Sequence, residues 1–538
     1  MSEKPWLKFY PSHISFSLQY PERPVFENLR ISAEKFSERA GIIYNEAVYT
    51  YSELWDLSLR MANALKNMGI KKGDRVAIYL PNVPQFVIAY YGILASGAVG
   101  VACNAAYREK EIGYMLKDSG AKAIVVLDDL LPVVNAVKDE TELEHIIVTS
   151  RSEAVTKMSQ DSNLGNNSMA KLLSENRSEM PDININPKED LAVLQYTGGT
   201  TGVPKGAMLT HYNLIVDQIQ ESGWFEFRDG EETAIIFLPV SHIYGMNWCM
   251  NTMILVAGTM VMMERFDPAK VLENVNRYSP TIFYGVPTAY IALLNHPDVK
   301  KADFSKMRTC FSAAAALPPE VRRRWKEVTG ADIIEAWGLT EAAPCLTCTP
   351  LGMSGDKLIG VPMPDTIVKI VDIDSGEDLP PGEVGELAGK GPQVMKGYWN
   401  KPEETKQVLK DGWLFTGDLG YMDENGLFYF VDRKKDLINV AGYKVWPDEV
   451  ENVLYEHPAV MEVAVVSAPD PEKGEVPKAY VVLKEEYKGK VSQEELTKFC
   501  KERLAPFKAP RKIEFLDEMP KSPVGKILRR VLREREWT

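Results

Sequence analysis

The chain has 538 residues, 45% hydrophobic and 25% charged, the balance of a folded globular protein with material for several domains or lobes. A net charge of −13 and a pI near 5.3 exclude a general nucleic-acid-binding surface, so an anionic ligand must be met by local positive charge. The six cysteines show no paired framework, which fits a reducing compartment; Cys345-x-x-Cys348 has no second pair at zinc spacing and reads as structural.

The N-terminal MSEKPWLKFYPSH lacks the apolar core of a signal peptide, and no segment reaches the ~18 uninterrupted apolar residues of a membrane span. A cytoplasmic protein without a transmembrane segment is the expectation. The nearest approach, residues 253–263, reads as buried helix, turn and strand.

From 23 to 150 strand-like and helix-like segments alternate. Residues 51–69 have helical spacing with Ser52 as N-cap, RVAIYL (75–80) is a buried strand, 84–94 is helical, and AIVVL (123–127) is another strand. Such alternation predicts a parallel sheet covered by helices. The polar stretch 151–188 reads as a surface excursion. YTGGTTGVPKG (196–206) then follows an apolar run. Gly198, Gly199 and Gly202 let backbone N–H groups approach another molecule; Thr197, Thr200 and Thr201 add hydroxyls, and Lys205 a charge. A polyphosphate loop and a flexible surface turn both suit these residues. Walker A does not, because Pro204 precedes Lys205 and Gly206 follows it.

Alternation resumes over 191–345, with strands at 234–239, 281–287 and 331–338. LPVSHIYG places His242 after a buried strand, as a catalyst or a satisfied core histidine. SAAAALPP (312–319) offers bare backbone to a flat ring, or is a tightly packed loop. Thr340-Glu341 in EAWGLTEAAP pairs a hydroxyl with a carboxylate that holds Mg²⁺ or lies plainly on the surface. Beyond 360, short runs with Gly and Pro turns predict a small β-rich subdomain. Asp418, in GWLFTGDLG, is an acceptor for two ribose hydroxyls or part of an Asp-Gly turn. The charged breaker 433–436 separates a region 1–432 from a compact α+β region 437–538, which ends in a basic tail. Lys526, in PKSPVGKILRR, taken alone is a solvated lysine.

In order, YTGGTTGVPKG, LPVSHIYG, SAAAALPP, AWGLTE, TGD, DRKKDLINVAGYKVWPDEVE and PKSPVGK resemble the motif set of the adenylate-forming superfamily: acyl-CoA synthetases, nonribosomal peptide synthetase adenylation domains and luciferases. The resemblance spans roughly 45–530, and 432–451 most resembles fatty-acyl-CoA ligases. One departure is Ala313 and Ala314 where the family usually carries Gly. The resemblance implies an α/β fold: a large N-terminal domain of helix-covered sheets plus the β-rich subdomain, then a small, mobile α+β C-terminal domain. It also implies two half-reactions, in which a carboxylate attacks the α-phosphorus of ATP and the thiol of coenzyme A then displaces AMP.

By the same resemblance, Thr197 to Lys205 surround the β- and γ-phosphates. Ala314, Ala315, Glu335, Ala336, Trp337 and Gly338 line the nucleotide site, and Glu341, with Thr340 and Thr197, holds Mg²⁺. Asp418 and Arg433 take the ribose, Lys526 bridges carboxylate and α-phosphate, and His242 joins the catalytic set. Lys435 is the hinge; Gly442 and Tyr443 meet coenzyme A. Tyr244, Met246, Tyr284, Gly285 and Gly338 form the acyl pocket, with Gly338 standing where acetate-specific members carry Trp. Apolar walls with few polar partners favour a medium- or long-chain aliphatic acid. The alternatives are a coumarate-type aryl-acid CoA ligase, an adenylation enzyme loading a carrier protein, and a noncatalytic nucleotide sensor, which Lys526, Glu341 and Asp418 disfavour. The partners are small-molecule substrates, with no nucleic acid; a homodimer is left open.

Overall fold

Short apolar strands joined by amphipathic helices bury themselves best as stacked sheets, and the computed structural model has that arrangement. It describes residues 4–151, 168–197, 203–315, 317–350, 352–355, 357–441, 443–522 and 525–537. A six-stranded sheet runs in spatial order His145–Thr149, Ala121–Leu127, Arg75–Tyr79, Val99–Cys103, Leu191–Thr197, Lys205–Thr210. All neighbours are parallel except the last pair, where Thr197 faces Lys205 across an antiparallel ladder. The elements that flank the expected phosphate loop are therefore antiparallel strand neighbours, not the strand and helix that flank a Walker A loop. The helix Pro84–Ser96 is buried at every position, as a helix must be that is apolar all round.

The second sheet has a parallel block: Ala40–Tyr44, Thr259–Met262, Thr233–Ile236, Ile282–Gly285, Thr309–Ser312 and Ile333–Gly338, with Ala47–Thr50 antiparallel at its edge. The short turn Thr340–Ala342 allows only an antiparallel return. Hydrogen bonding then continues through Cys345–Cys348 and Leu358–Pro362 to Phe428–Arg433, Trp413–Met422, Gly385–Lys390 and Ile367–Val371. The expected β-rich region is thus hydrogen-bonded into the α/β sheet as its continuation.

Two further expectations are corrected. Thr50, not Ser52, caps the helix Tyr51–Asn67: the Glu53 N–H donates to Thr50 Oγ1 at 3.2 Å, and the Thr50 N–H to Glu53 Oε2 at 2.8 Å. Within the polar excursion, Met169–Glu175 is a helix that buries Met169 and Leu173; residues 152–167 lie outside the described residues. Residues 253–263 do form helix, turn and buried strand, directly after a π-helix, Tyr244–Asn251.

Beyond the short turn Lys434–Asp436, a five-stranded sheet forms from Tyr443–Val445, Ile438–Val440, Gly474–Leu483, Val460–Asp470 and Lys512–Phe515. It has its own apolar cluster around Val450, Leu454, Val465, Val481 and Leu496. This unit meets the first among the described residues: beside Lys526, Thr288 Oγ1 donates to the Gly525 carbonyl at 3.2 Å, and on the helix Pro447–Tyr455, Asp448 pairs with Lys357 at 2.8 Å.

Candidate active site

The carboxyl ends of parallel strands are where open α/β sheets gather ligands, and Trp337 lies at one such end. Its indole N–H donates to Asp418 Oδ2 at 2.9 Å, while Arg433 Nε lies 3.2 Å from Oδ1. Asp418 and Arg433 face each other across an antiparallel pair of strands. The Asp-Gly turn reading of Asp418 is therefore wrong: the residue is buried inside the strand Trp413–Met422. Each carboxylate oxygen keeps accepting capacity for a further hydroxyl.

Glu341 is buried in the turn after the strand Ile333–Gly338, which rules out a plain surface acid. Its Oε1 accepts from the Tyr398 hydroxyl at 2.5 Å, and Lys205 Nζ lies 5.2 Å from the centre of the Tyr398 ring. Burial holds the Glu341 carboxyl above its ordinary range, more than the Tyr398 bond and the charge of Arg433 offset. A bound cation reverses such a shift; Thr340, the preceding residue in the turn, and Thr197, at the end of the strand Leu191–Thr197, are both half-buried hydroxyl residues. Among the described residues no group of three or more acidic, His or Cys side chains forms a protein cage. One carboxylate with hydroxyls fits Mg²⁺, which keeps substrate phosphates and waters among its ligands.

Lys526 comes from the far end of the chain. Its ammonium is placed where Arg433, Asp418, Arg529 and Lys435 all act on it; burial, then the Arg433 charge, push its pKa down to about 7. This is not a solvated lysine. His242 is near enough to feel the same ammonium: burial and the Lys526 charge lower the imidazole to about 4, so it is neutral at neutral pH. The Tyr244 N–H donates to Nδ1 at 3.3 Å, which assigns the ring hydrogen to Nε2.

Other expected residues are more scattered. Glu335 spends its carboxylate on Arg322, whose Nη1 also donates to the Ile333 carbonyl at 2.6 Å. Ala336 is half-buried; Ala315 is exposed, beside Ala314 with φ +70°. Lys435 is exposed on the turn Lys434–Asp436, its carbonyl accepting from Arg533 at 2.9 Å. Tyr443 is 61% exposed and packs on Phe507 with ring centres 4.8 Å apart. Gly198, Gly199, Thr200, Thr201, Gly202 and Gly442 lie outside the described residues. Gly338 is exposed, yet a Cβ there falls 1.9 Å from the Pro344 carbonyl oxygen. Close approach of the returning strand, whatever the acyl group, demands glycine at that position.

Of the residues expected at the acyl pocket, Tyr244, Met246 and Tyr284 are buried. Tyr284 stacks on Phe311 at 5.2 Å with 9° between planes, and meets Tyr244 edge-on at 6.3 Å. A Cβ at Gly285 falls 2.6 Å from the Tyr290 ring. The expectation of few polar partners is corrected here. The Tyr284 hydroxyl donates to Glu221 Oε1 at 3.0 Å, and Thr252 Oγ1 lies 2.6 Å from Oε2. One turn earlier on the same helix, His211–Trp224, buried Asp217 accepts from Asn247 Nδ2 at 2.9 Å and the Cys345 N–H at 3.1 Å. Burial pushes both carboxyls well above the ordinary range. Sequence reasoning missed Glu221, Asp217 and Tyr398. Leu214, Asp217, Glu221 and Trp224 follow helical spacing, so acids on an apolar stripe were the available signal.

Comparison with known proteins identifies the family. The model of the AMP-binding enzyme family matches residues 29–399, and that of the AMP-binding enzyme C-terminal domain matches 449–526. A long-chain-fatty-acid–CoA ligase of Bacillus subtilis is 42% identical over 99% of this chain and 98% of its own length. One from Escherichia coli is 36% identical over 99% and 98%. Among solved structures, ATP-bound MatB from Rhodopseudomonas palustris superposes with a TM-score of 0.87 at 30% identity, covering 96% of this chain and 99% of that one.

Proposed function

From the premise that this chain belongs to the AMP-binding enzyme family, we propose that it is an ATP-dependent acyl-CoA synthetase for medium- or long-chain fatty acids. The acid's carboxylate attacks the α-phosphorus of ATP, giving acyl-adenylate and pyrophosphate. The thiol of coenzyme A then attacks the acyl carbon, forming the thioester and releasing AMP. The observation that carries this reading is the convergence of Lys526 with Asp418, Arg433 and His242.

Adenylate formation builds negative charge on the leaving pyrophosphate, so positioned cations are the main catalytic resource. Lys526 is placed to bridge the carboxylate and α-phosphate, and Lys205 to meet the leaving phosphates. Asp418, braced by Trp337 and Arg433, accepts the ribose hydroxyls. Glu341, Thr340 and Thr197 would hold Mg²⁺, which supplies charge neutralisation to the phosphates when bound. Neutral His242 contributes a fixed dipole and no net charge. We place the joint between the two units at 433–436, with Lys435 as pivot; its turning would exchange Lys526 for the segment carrying Gly442 and Tyr443, which meets coenzyme A.

The hydroxyls of Tyr284 and Tyr244 are spent on Glu221 and the Gly285 carbonyl, so ring faces, not free polar groups, meet the acyl chain. That arrangement favours an aliphatic over a hydroxylated aromatic acid. No helix among the described residues is long and apolar enough to cross a membrane; we assign the enzyme to the cytoplasm, where ATP and coenzyme A are drawn on. A sizing column decides between monomer and homodimer. ATP–pyrophosphate exchange with acids from butanoate to palmitate, benzoate and coumarate tests the substrate reading. Exchange should rise with chain length and be weak with both ring acids; a maximum on coumarate overturns it. Acyl transfer to coenzyme A but not to a carrier protein is the expected second result.

A further inference from the structure

Glu221 is a buried acid in an otherwise aromatic surround. On the helix His211–Trp224 it is fully enclosed, and each of its oxygens has a hydroxyl partner, Tyr284 at 3.0 Å and Thr252 at 2.6 Å. Thr252 Oγ1 is also 3.2 Å from the Asn247 carbonyl. A threonine hydrogen cannot serve both acceptors. A neutral Glu221 resolves the conflict by donating from Oε2 to Thr252, whose own hydrogen then goes to Asn247, while Tyr284 donates to Oε1. Burial, with Asp217 as the nearest acidic neighbour, favours that neutral form. The result is a directed chain running from the strand Ile282–Gly285 through Glu221 to the end of the π-helix Tyr244–Asn251.

The chain terminates on the acyl wall. Offset stacking lets a ring slide over its neighbour, and the contact of Tyr284 with Phe311 is of that kind, 9° between planes. The tie from its hydroxyl to Glu221 removes the freedom to slide. Tyr244, by contrast, reaches only the Gly285 carbonyl, at 3.4 Å. We propose that Glu221 is the positioning residue of the acyl wall: by fixing Tyr284 against Phe311 and tying it through Thr252 to the π-helix, it sets the width available to the acyl chain and so which acids are accepted. The inference rests on the acyl-CoA synthetase reading, both for the identity of the acid and for Tyr284 as part of its pocket.

The test compares wild type, Glu221→Gln, Glu221→Leu and Tyr284→Phe in pyrophosphate exchange, with straight-chain, methyl-branched and ω-phenyl fatty acids and with KM for ATP measured in parallel. Gln is neutral, accepts from Tyr284 and donates to Thr252, so it should keep the wild-type ranking of acids. Leu at 221 and Phe at 284 should raise KM for the preferred straight-chain acid about tenfold, in line with a lost buried hydrogen bond. The branched and ω-phenyl acids should gain relative to it, and KM for ATP should not move. A Gln variant as impaired as Leu overturns the proposal. So does a loss that is uniform across acids and shared by ATP, which is what a merely structural role produces. Should Glu221→Leu not fold, Tyr284→Phe, which removes one oxygen, carries the same comparison. Should wild type prefer ring acids, the fatty-acid reading fails, and Glu221 is judged by the same ranking on ring-substituted benzoates.

Discussion

On the proposed nucleotide side, Lys205, Glu341, Asp418, Arg433 and Lys526 come from separate elements as charged or chargeable groups. On the acyl side, Tyr244, Met246, Tyr284 and Phe311 are packed against one another and tied by neutral hydrogen bonds. On the proposed reading, the first side does chemistry with charge that a substrate completes, and the second selects by shape that is complete beforehand. Replacing one residue should therefore change rate on the first side, and selectivity or folding on the second.

The sharpest contrast is at Lys526. Lys526→Ala should lower adenylate formation by roughly 10²–10³ while thiolysis of a supplied acyl-adenylate stays near wild type. Equal loss in both half-reactions would break the division, since it would make Lys526 a general scaffold. The same residue gives a pH signature. With its pKa lowered to about 7 by burial and then Arg433, Lys526 is charged below that value and neutral above it. In the adenylation half-reaction, kcat/KM for ATP, which reports the free enzyme, should fall about tenfold per pH unit above that point. Bound phosphates favour the charged form, so the fall in kcat should begin at higher pH. Lys526→Arg, lower in absolute rate, should lose the falling limb; its persistence would transfer the titration to another group.

Gly338 tests the boundary between the two sides. If glycine stands there to leave acyl space, Gly338→Ala should shorten the preferred chain and leave stability alone. The 1.9 Å approach of a Cβ to the Pro344 carbonyl gives the opposite expectation: about 1–3 kcal/mol of lost stability from overpacking against backbone and similar slowing with every acid. Thermal unfolding beside the acid series separates them.

The difference between the sides also governs what could be read from sequence. Thr340-Glu341, Asp418 and Lys526 each had a bland reading taken alone, and they and Arg433 were singled out only by the ordered motifs of the resemblance. Tyr398, 57 residues from the Glu341 it bonds, and Glu221, 63 residues from Tyr284, were not. Their roles exist only once elements distant in sequence are brought together: Tyr398 sits in no distinctive local pattern, and the acid on an apolar stripe at 221 names no partner. The same limit explains the β-rich region: alternation reveals strands, but whether they extend a neighbouring sheet depends on pairing that periodicity does not encode. At Thr50 the failure was local, two adjacent hydroxyl residues competing for one cap, decided by which of them has Glu three positions on.

The smallest expected effect lies at Ala314, on the nucleotide side but in a backbone role. A left-handed alanine carries about 1–2 kcal/mol of strain, and Ala314 has φ +70°. Glycine relieves that strain but gains freedom in the unfolded chain, which returns about 0.4–1 kcal/mol. Ala314→Gly should therefore stabilise the protein by about 1 kcal/mol or less, a slight rise in the thermal unfolding midpoint, with KM for ATP unchanged. A several-fold change in KM for ATP would show that the methyl group itself touches the nucleotide, and would move Ala314 from the strained frame of the site into its binding surface.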